Sequence, residues 1–263
     1  MSTITDTPDT VAPAAPEAHD GHEGHADHPA FLQHHFHTVG QQQSASKFGM
    51  WLFIAQEILF FGGLFMAYAC FRYLYPETWL AAHHYLSVPM GSLNTLVLIT
   101  SSFTMALAVR AAQLGNQKSL KLNLIITIVL ACCFLVVKYV EYRHKIHDCL
   151  LPGNYYGLPL KDDAGNYKLD AAGERIFSEH CEIAKSGEIP GRPAIFFAIY
   201  FVMTGMHGLH VLLGVGVLLW IFFRARRLDF GPEYYTPVEN VGLYWHLVDI
   251  IWIFLFPLLY LVK

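Results

Sequence analysis

The stretch from Phe48 to Phe71 restricts the fold of this chain more than any other. Glu57 is its only formally charged side chain, and at about 1.5 Å per residue a helix of that length crosses a hydrocarbon core of about 30 Å. Glu57 then lies roughly 14 Å in, near the middle of a bilayer. An ionisable group at that depth is costly unless it is neutral or paired, so it marks a functional position. A protonated carboxyl that only hydrogen-bonds between helices is the plainer alternative.

Four more apolar segments follow at 92–113, 120–142, 193–223 and 241–262, each near or above the roughly 20 residues that a spanning helix needs. Composition agrees, because 54% of the residues are hydrophobic and only 14% are charged, against about 25% in an ordinary soluble protein. The sequence therefore predicts an all-α, polytopic membrane protein with five transmembrane helices in residues 47–263. A net charge of −4 offers nothing to nucleic acid. Residues 1–46 contain no Lys or Arg and little apolar surface, which predicts a disordered tail. Within it His19, His22, His25 and His28 recur every third residue, a composition that binds transition metals loosely at most.

Lys and Arg in the short connections set the orientation. An N-inside arrangement puts Lys47, Arg110, Lys118, Lys121, Arg224, Arg226 and Arg227 in the cytoplasm, and leaves Arg72 and Lys263 opposite. The long polar connection 143–193 is then exterior. Its turn signals predict a hairpin over Leu158–Leu169, and a short amphipathic helix fits Glu174–Lys185. An oxidising compartment lets Cys149 and Cys181 pair and close this loop.

Several polar residues sit deep in apolar segments. His207 and His210 lie about 60° apart on one helical face, able to ligate a metal or to brace neighbouring helices. No nearby carboxylate is apparent to orient the two imidazoles, which favours bracing, and Gly205 and Gly208 permit close helix approach. His246 and Asp249 are three residues apart, a spacing for polar bracing or a relay. Glu239 joins their face if its helix starts early enough. Lys138 through Tyr142 reads as an aromatic and charged boundary at the membrane interface.

Taken together, Trp51 through Phe61, Leu93-Asn94-Thr95, Glu141-Tyr142, Thr204 through Val211, and Glu239 with Tyr244 through Trp252 give the chain a family resemblance. It resembles subunit III of the haem–copper respiratory oxidases, most closely cytochrome c oxidase subunit III in its five-helix form. The resemblance covers residues 47–263 apart from the 143–193 insertion.

It implies a non-catalytic accessory subunit of a proton-pumping terminal oxidase, an oxidoreductase and translocase whose haem and copper lie in partner subunits. The implied partners are subunit I, subunit II and phospholipid, with no cofactor bound by this chain. Lipid is expected in a cleft between the first two helices and the other three, and the subunit is expected to support proton uptake and protect the catalytic subunit. On that pattern Glu57 is the proton-linked or gating carboxyl. His207, His210, Glu239, His246 and Asp249 serve lipid binding or bracing, and Arg224, Arg226 and Arg227 can hold lipid phosphate.

The expected location is a bacterial inner membrane, with the N-terminus cytoplasmic and the C-terminus periplasmic. The long loop and the His-rich tail depart from the family pattern and look like surfaces for other respiratory complexes. Accessory subunits of a quinol oxidase or nitric oxide reductase fit the same residues. A stand-alone proton channel or transporter is a further alternative, although no inverted repeat is evident, and a metalloenzyme using His207 and His210 is another.

Overall fold

The computed structural model describes residues 32–152, 156–157, 166, 168–169, 181 and 189–262. Its helices are α1 (Val39–Leu74), α2 (Pro76–Ala82), α3 (Val88–Gln113), α4 (Gln117–His147), α5 (Pro193–Arg226) and α6 (Thr236–Tyr260), with a 3-10 turn at His83–Tyr85. All but α2 are long and apolar enough to cross a membrane, as the sequence predicts. The hairpin over Leu158–Leu169 and the helix over Glu174–Lys185 lie outside the described residues, apart from Asn166, Lys168, Leu169 and Cys181. The His19, His22, His25 and His28 tract lies outside them as well.

The chain divides into two compact units, residues 1–42 and 43–263. In the first, helix already begins at Val39, inside the stretch read as a disordered tail. Thr38 caps it, its hydroxyl accepting from the Gln41 amide at 3.2 Å, and satisfies one of the free N–H groups of the first turn.

In the second unit, prolines stand in the first turns of α2, α3, α5 and α6, where a missing N–H costs nothing. Between α3 and α4, Gly115 adopts a φ of 71°, and the Asn116 side chain accepts from the Ser119 amide at 3.2 Å. That tight turn makes α3 and α4 an antiparallel hairpin. Helix α3 packs on α4 and α6, and α5 closes the ring by packing on both α4 and α6. Glycines allow the closest approaches, since a Cβ on Gly214 of α5 would lie 2.7 Å from the Trp245 ring of α6. One on Gly242 of α6 would lie 2.9 Å from Val109 of α3.

Helix α1 stands outside this ring. Its buried residues are Ile54, Glu57, Phe61 and Tyr68, a single stripe at helical spacing, while its other faces are exposed or half-buried. The expected grouping of the first two helices against the other three is therefore corrected: α3 belongs to the four-helix body, and the open cleft separates α1 alone from it. At one end of the bundle, Thr78 of α2 donates to the Pro190 carbonyl at 2.7 Å, and Lys145 of α4 donates to the Tyr85 carbonyl. Cys149 and Cys181 are joined there by a disulfide, with their Cα atoms 5.5 Å apart.

Candidate functional site at the first helix

Glu57 points from α1 onto the body and meets His210 of α5, with Glu57 Oε2 3.0 Å from His210 Nε2. Both side chains are largely shielded, at 9% and 13% exposure. The other ring nitrogen, Nδ1, lies 2.7 Å from the Met206 carbonyl oxygen, which can only accept, so Nδ1 carries a proton. Nε2 then either accepts from a protonated Glu57 or belongs to an imidazolium facing a carboxylate. In both arrangements a single proton occupies the gap. Tyr244 of α6 donates to the His210 carbonyl at 2.8 Å, and the Phe61 ring stands edge-on to the imidazole at 5.0 Å. The pair is thus fixed from three helices.

Three further ties hold α1. Near its start, Lys47 pairs with Glu239 of α6 at 3.1 Å, and Asn240 donates to Ser46 at 2.8 Å. Near its end, the Tyr68 hydroxyl donates to the Leu258 carbonyl of α6. Between them α1 and α6 enclose an apolar cleft of about 620 Å³, lined by Trp51, Ile54, Ile58 and Phe61 on one side and by His246, Ile250 and Phe254 on the other.

His207 and His210 do not act together. His207 faces inward, fully buried between the rings of Phe134 of α4 and Trp252 of α6 at 5.5 and 5.1 Å. Neither of its nitrogens bonds to a described residue. Gly208 beside them is not a close-packing point, since a Cβ there would meet nothing within 4 Å, and one on Gly205 would make ordinary contact with the Tyr142 hydroxyl of α4 at 3.6 Å. His246 bonds Ser102 of α3, with Nδ1 2.6 Å from Oγ, and Asp249 is buried one turn further along α6. Helix α6 starts at Thr236, early enough to include Glu239, whose partner is nevertheless Lys47.

Arg224 is occupied: it pairs with Asp229 at 3.0 Å and stacks over Trp220, Phe230 and Tyr234. Arg226 and Arg227 remain exposed and line a shallow pocket with Phe223. Among the described residues, no three His, Cys, Asp or Glu side chains gather closely enough to hold a metal ion.

The sequence reading missed one cluster. Lys138 and Glu141 of α4 are buried against the neighbouring helices, 2.9 Å apart, with Lys138 donating to Tyr260 at 3.0 Å. Tyr200 and Tyr260 donate to the same Glu141 oxygen at 3.0 and 2.5 Å. The ammonium also faces the Trp252 ring at 4.9 Å. The i, i+3 spacing of Lys138 and Glu141 was the available signal.

Five apolar helices fixed to one another by polar side chains define a multi-pass helical membrane protein. Comparison makes the assignment particular. The family model described as "Cytochrome c oxidase subunit III" matches residues 26–156 and 189–263. The chain is 28% identical over 218 residues to "Cytochrome c oxidase subunit 3" of Corynebacterium diphtheriae, covering 82% of this chain and 87% of that one. It is 30% identical over 214 residues to the protein of the same name from Thermostichus vulcanus, covering 81% and 85%. It is also 30% identical over 219 residues to "Heme-copper oxidase subunit I+III" of Aeropyrum pernix, covering 81% of this chain and 22% of that longer one. The chain belongs to the cytochrome c oxidase subunit III family.

Proposed function

We propose that the chain is a non-catalytic accessory subunit of a proton-pumping terminal oxidase, supporting proton uptake and the working lifetime of the catalytic subunit. The relative that carries subunits I and III in one name supports subunit I as the neighbour. Haem and copper belong to the partner subunits in this reading, and subunit II completes the complex. The protein sits in a bacterial inner membrane with its N-terminus in the cytoplasm, where Arg226 and Arg227 meet lipid phosphate.

The observation that carries the proposal is the Glu57–His210 pair, a shared proton near the middle of the first spanning helix. Such a pair holds or passes one proton without placing a net charge in the bilayer. The adjoining cleft is a lipid site, since its lining is apolar almost throughout.

The test is Glu57→Gln in the intact oxidase. The haem spectrum stays unchanged, while the pumping ratio or the lifetime under turnover falls. An unchanged ratio together with an unchanged lifetime refutes the proton-linked role.

A further inference from the structure

The four-helix body of α3, α4, α5 and α6 is built in layers about two helical turns, roughly 10 Å, apart. In one layer Ser101 of α3 donates to the Thr127 carbonyl of α4 at 3.5 Å and accepts from the Trp245 indole of α6 at 3.0 Å, while Trp245 lies against Gly214 of α5. Two turns along each helix, towards the Cys149–Cys181 end, stand Asn94, Phe134, His207 and Trp252. The rings of Phe134 and Trp252 lie 5.0 Å apart, and His207 packs on both. Asn94 completes this layer beside Thr95, whose hydroxyl accepts from the Trp252 indole at 3.1 Å.

Asn94 and His207 are fully buried. Helices α3 and α5 are each flanked by α4 and α6, so they face one another across the axis of the body. Asn94 shares the face of Ser101, whose bonds to α4 and α6 mark it as the axial one. His207 reaches the same axis from the opposite helix, between one ring of α4 and one of α6. Yet Asn94 Nδ2 and Oδ1 and both ring nitrogens of His207 have no hydrogen-bond partner among the described residues. The layers on either side differ. Ser101 and Thr127 are bonded in one, and Lys138, Glu141, Tyr200 and Tyr260 in the other.

Buried polar groups left bare carry a desolvation penalty, and proteins satisfy them with protein partners or ordered water. The donor set fixes the chemistry of what fits. Asn94 offers both an N–H and a carbonyl oxygen, and a neutral imidazole offers one nitrogen of each kind. A bare cation would face the N–H groups, and an anion would face the oxygen and the unprotonated nitrogen. The ligand must donate and accept, and it must be small enough to sit among packed rings.

We propose that Asn94 and His207 bind internal water on the axis of the four-helix body. Such a water makes about three hydrogen bonds, accepting from an N–H and donating to Asn94 Oδ1 and the unprotonated ring nitrogen. The site is separate from the Glu57–His210 pair, because His210 faces α1 and His207 faces the axis. It puts an exchangeable polar molecule one layer from the Lys138–Glu141 cluster.

The experiment uses the intact oxidase as wild type, Asn94→Leu and Asn94→Ser, imaged by electron cryo-microscopy at a resolution that shows ordered water. Infrared spectra of each are recorded in ordinary and in heavy-oxygen water, and the difference isolates O–H bands of bound water. The wild type shows a density peak within hydrogen-bond distance of both Asn94 and His207, and an isotope-shifted band distinct from bulk water. Asn94→Ser keeps a hydrogen-bonding group with more room and retains both signals. Asn94→Leu fills the place with an apolar side chain of similar size and loses both. A direct Asn94–His207 bond with no peak between them overturns the proposal. So does a peak and band unchanged in Asn94→Leu, and a peak at metal–ligand distance from His207 overturns the assignment to water. If Asn94→Leu does not assemble, the wild-type map and Asn94→Ser still decide the outcome.

Discussion

Lys138 and Glu141 show how much a single buried charge can depend on its partner. Removing either one leaves the other unpaired among aromatic rings, at a cost of about 3–5 kcal/mol. Lys138→Met with Glu141→Leu removes both charges and recovers most of that loss. A double-mutant cycle on thermal unfolding of the purified complex measures the coupling. At the Glu57–His210 pair the same reasoning separates two roles. Glu57→Gln keeps a donor to Nε2 and leaves stability near wild type, whereas Glu57→Ala strands the imidazole and costs about 1–3 kcal/mol. Thermal unfolding of the two variants side by side checks this. That Glu57 needs a partner was legible in the sequence because it is the only charge in its segment. Its partner was not, because His207 and His210 share a face. On a helix of the body that α1 lies against, a turn of about 60° suffices to send one outward and the other inward.

At the level of helices, glycines separate packing points from bystanders. Gly214→Ala forces a methyl group against Trp245 and destabilises by about 1–3 kcal/mol, while Gly208→Ala faces open space and changes little. Melting temperatures of the two variants in detergent give the contrast. The sequence pointed to Gly205 and Gly208 because they flank histidines, but only tertiary contact distinguishes a glycine under a tryptophan from one facing open space. The number of spanning helices was legible from apolar runs alone. Their ends were less so, because polar residues disguise terminal turns as loop. Helix α4 runs on to His147, so Lys138 lies well inside it rather than at its boundary. Helix α1 similarly starts at a Thr cap within a polar stretch.

For the molecule as a whole, the Cys149–Cys181 bond closes a separation of 32 residues at the base of the 143–193 connection. Loop-closure entropy for that length amounts to roughly 3–4 kcal/mol against the unfolded connection. Cys149→Ser with Cys181→Ser makes the connection protease-sensitive while the spanning helices stay intact, as limited proteolysis in nanodiscs would show. Beside this bond Tyr156 stacks on Phe197 at 5.9 Å, and burial, followed by the nearby Tyr85, pushes its phenol up to about 12. The folded form therefore favours the neutral phenol. Its contribution is complete below pH ~10 and fades as pH rises towards 12, so proteolysis of the connection accelerates across that window. The pairing was open to a sequence reader who placed both cysteines on the oxidising side. The seating of the connection on α2 was not, because Thr78, Tyr85 and Pro190 are contacts between distant segments.

The ties of α1 also set which movements are open to it. Its partners on α6 lie 190 to 194 residues away at both ends, so the two helices run parallel in nearly constant register. Sliding by one turn, about 5.4 Å, would break the ties at both ends at once. Bowing outward at the centre would leave the end ties in place, parting the Glu57–His210 hydrogen bond and the ring contacts beside it. The first helix therefore behaves as a beam held at its two ends, and the one movement left to it passes through a single proton.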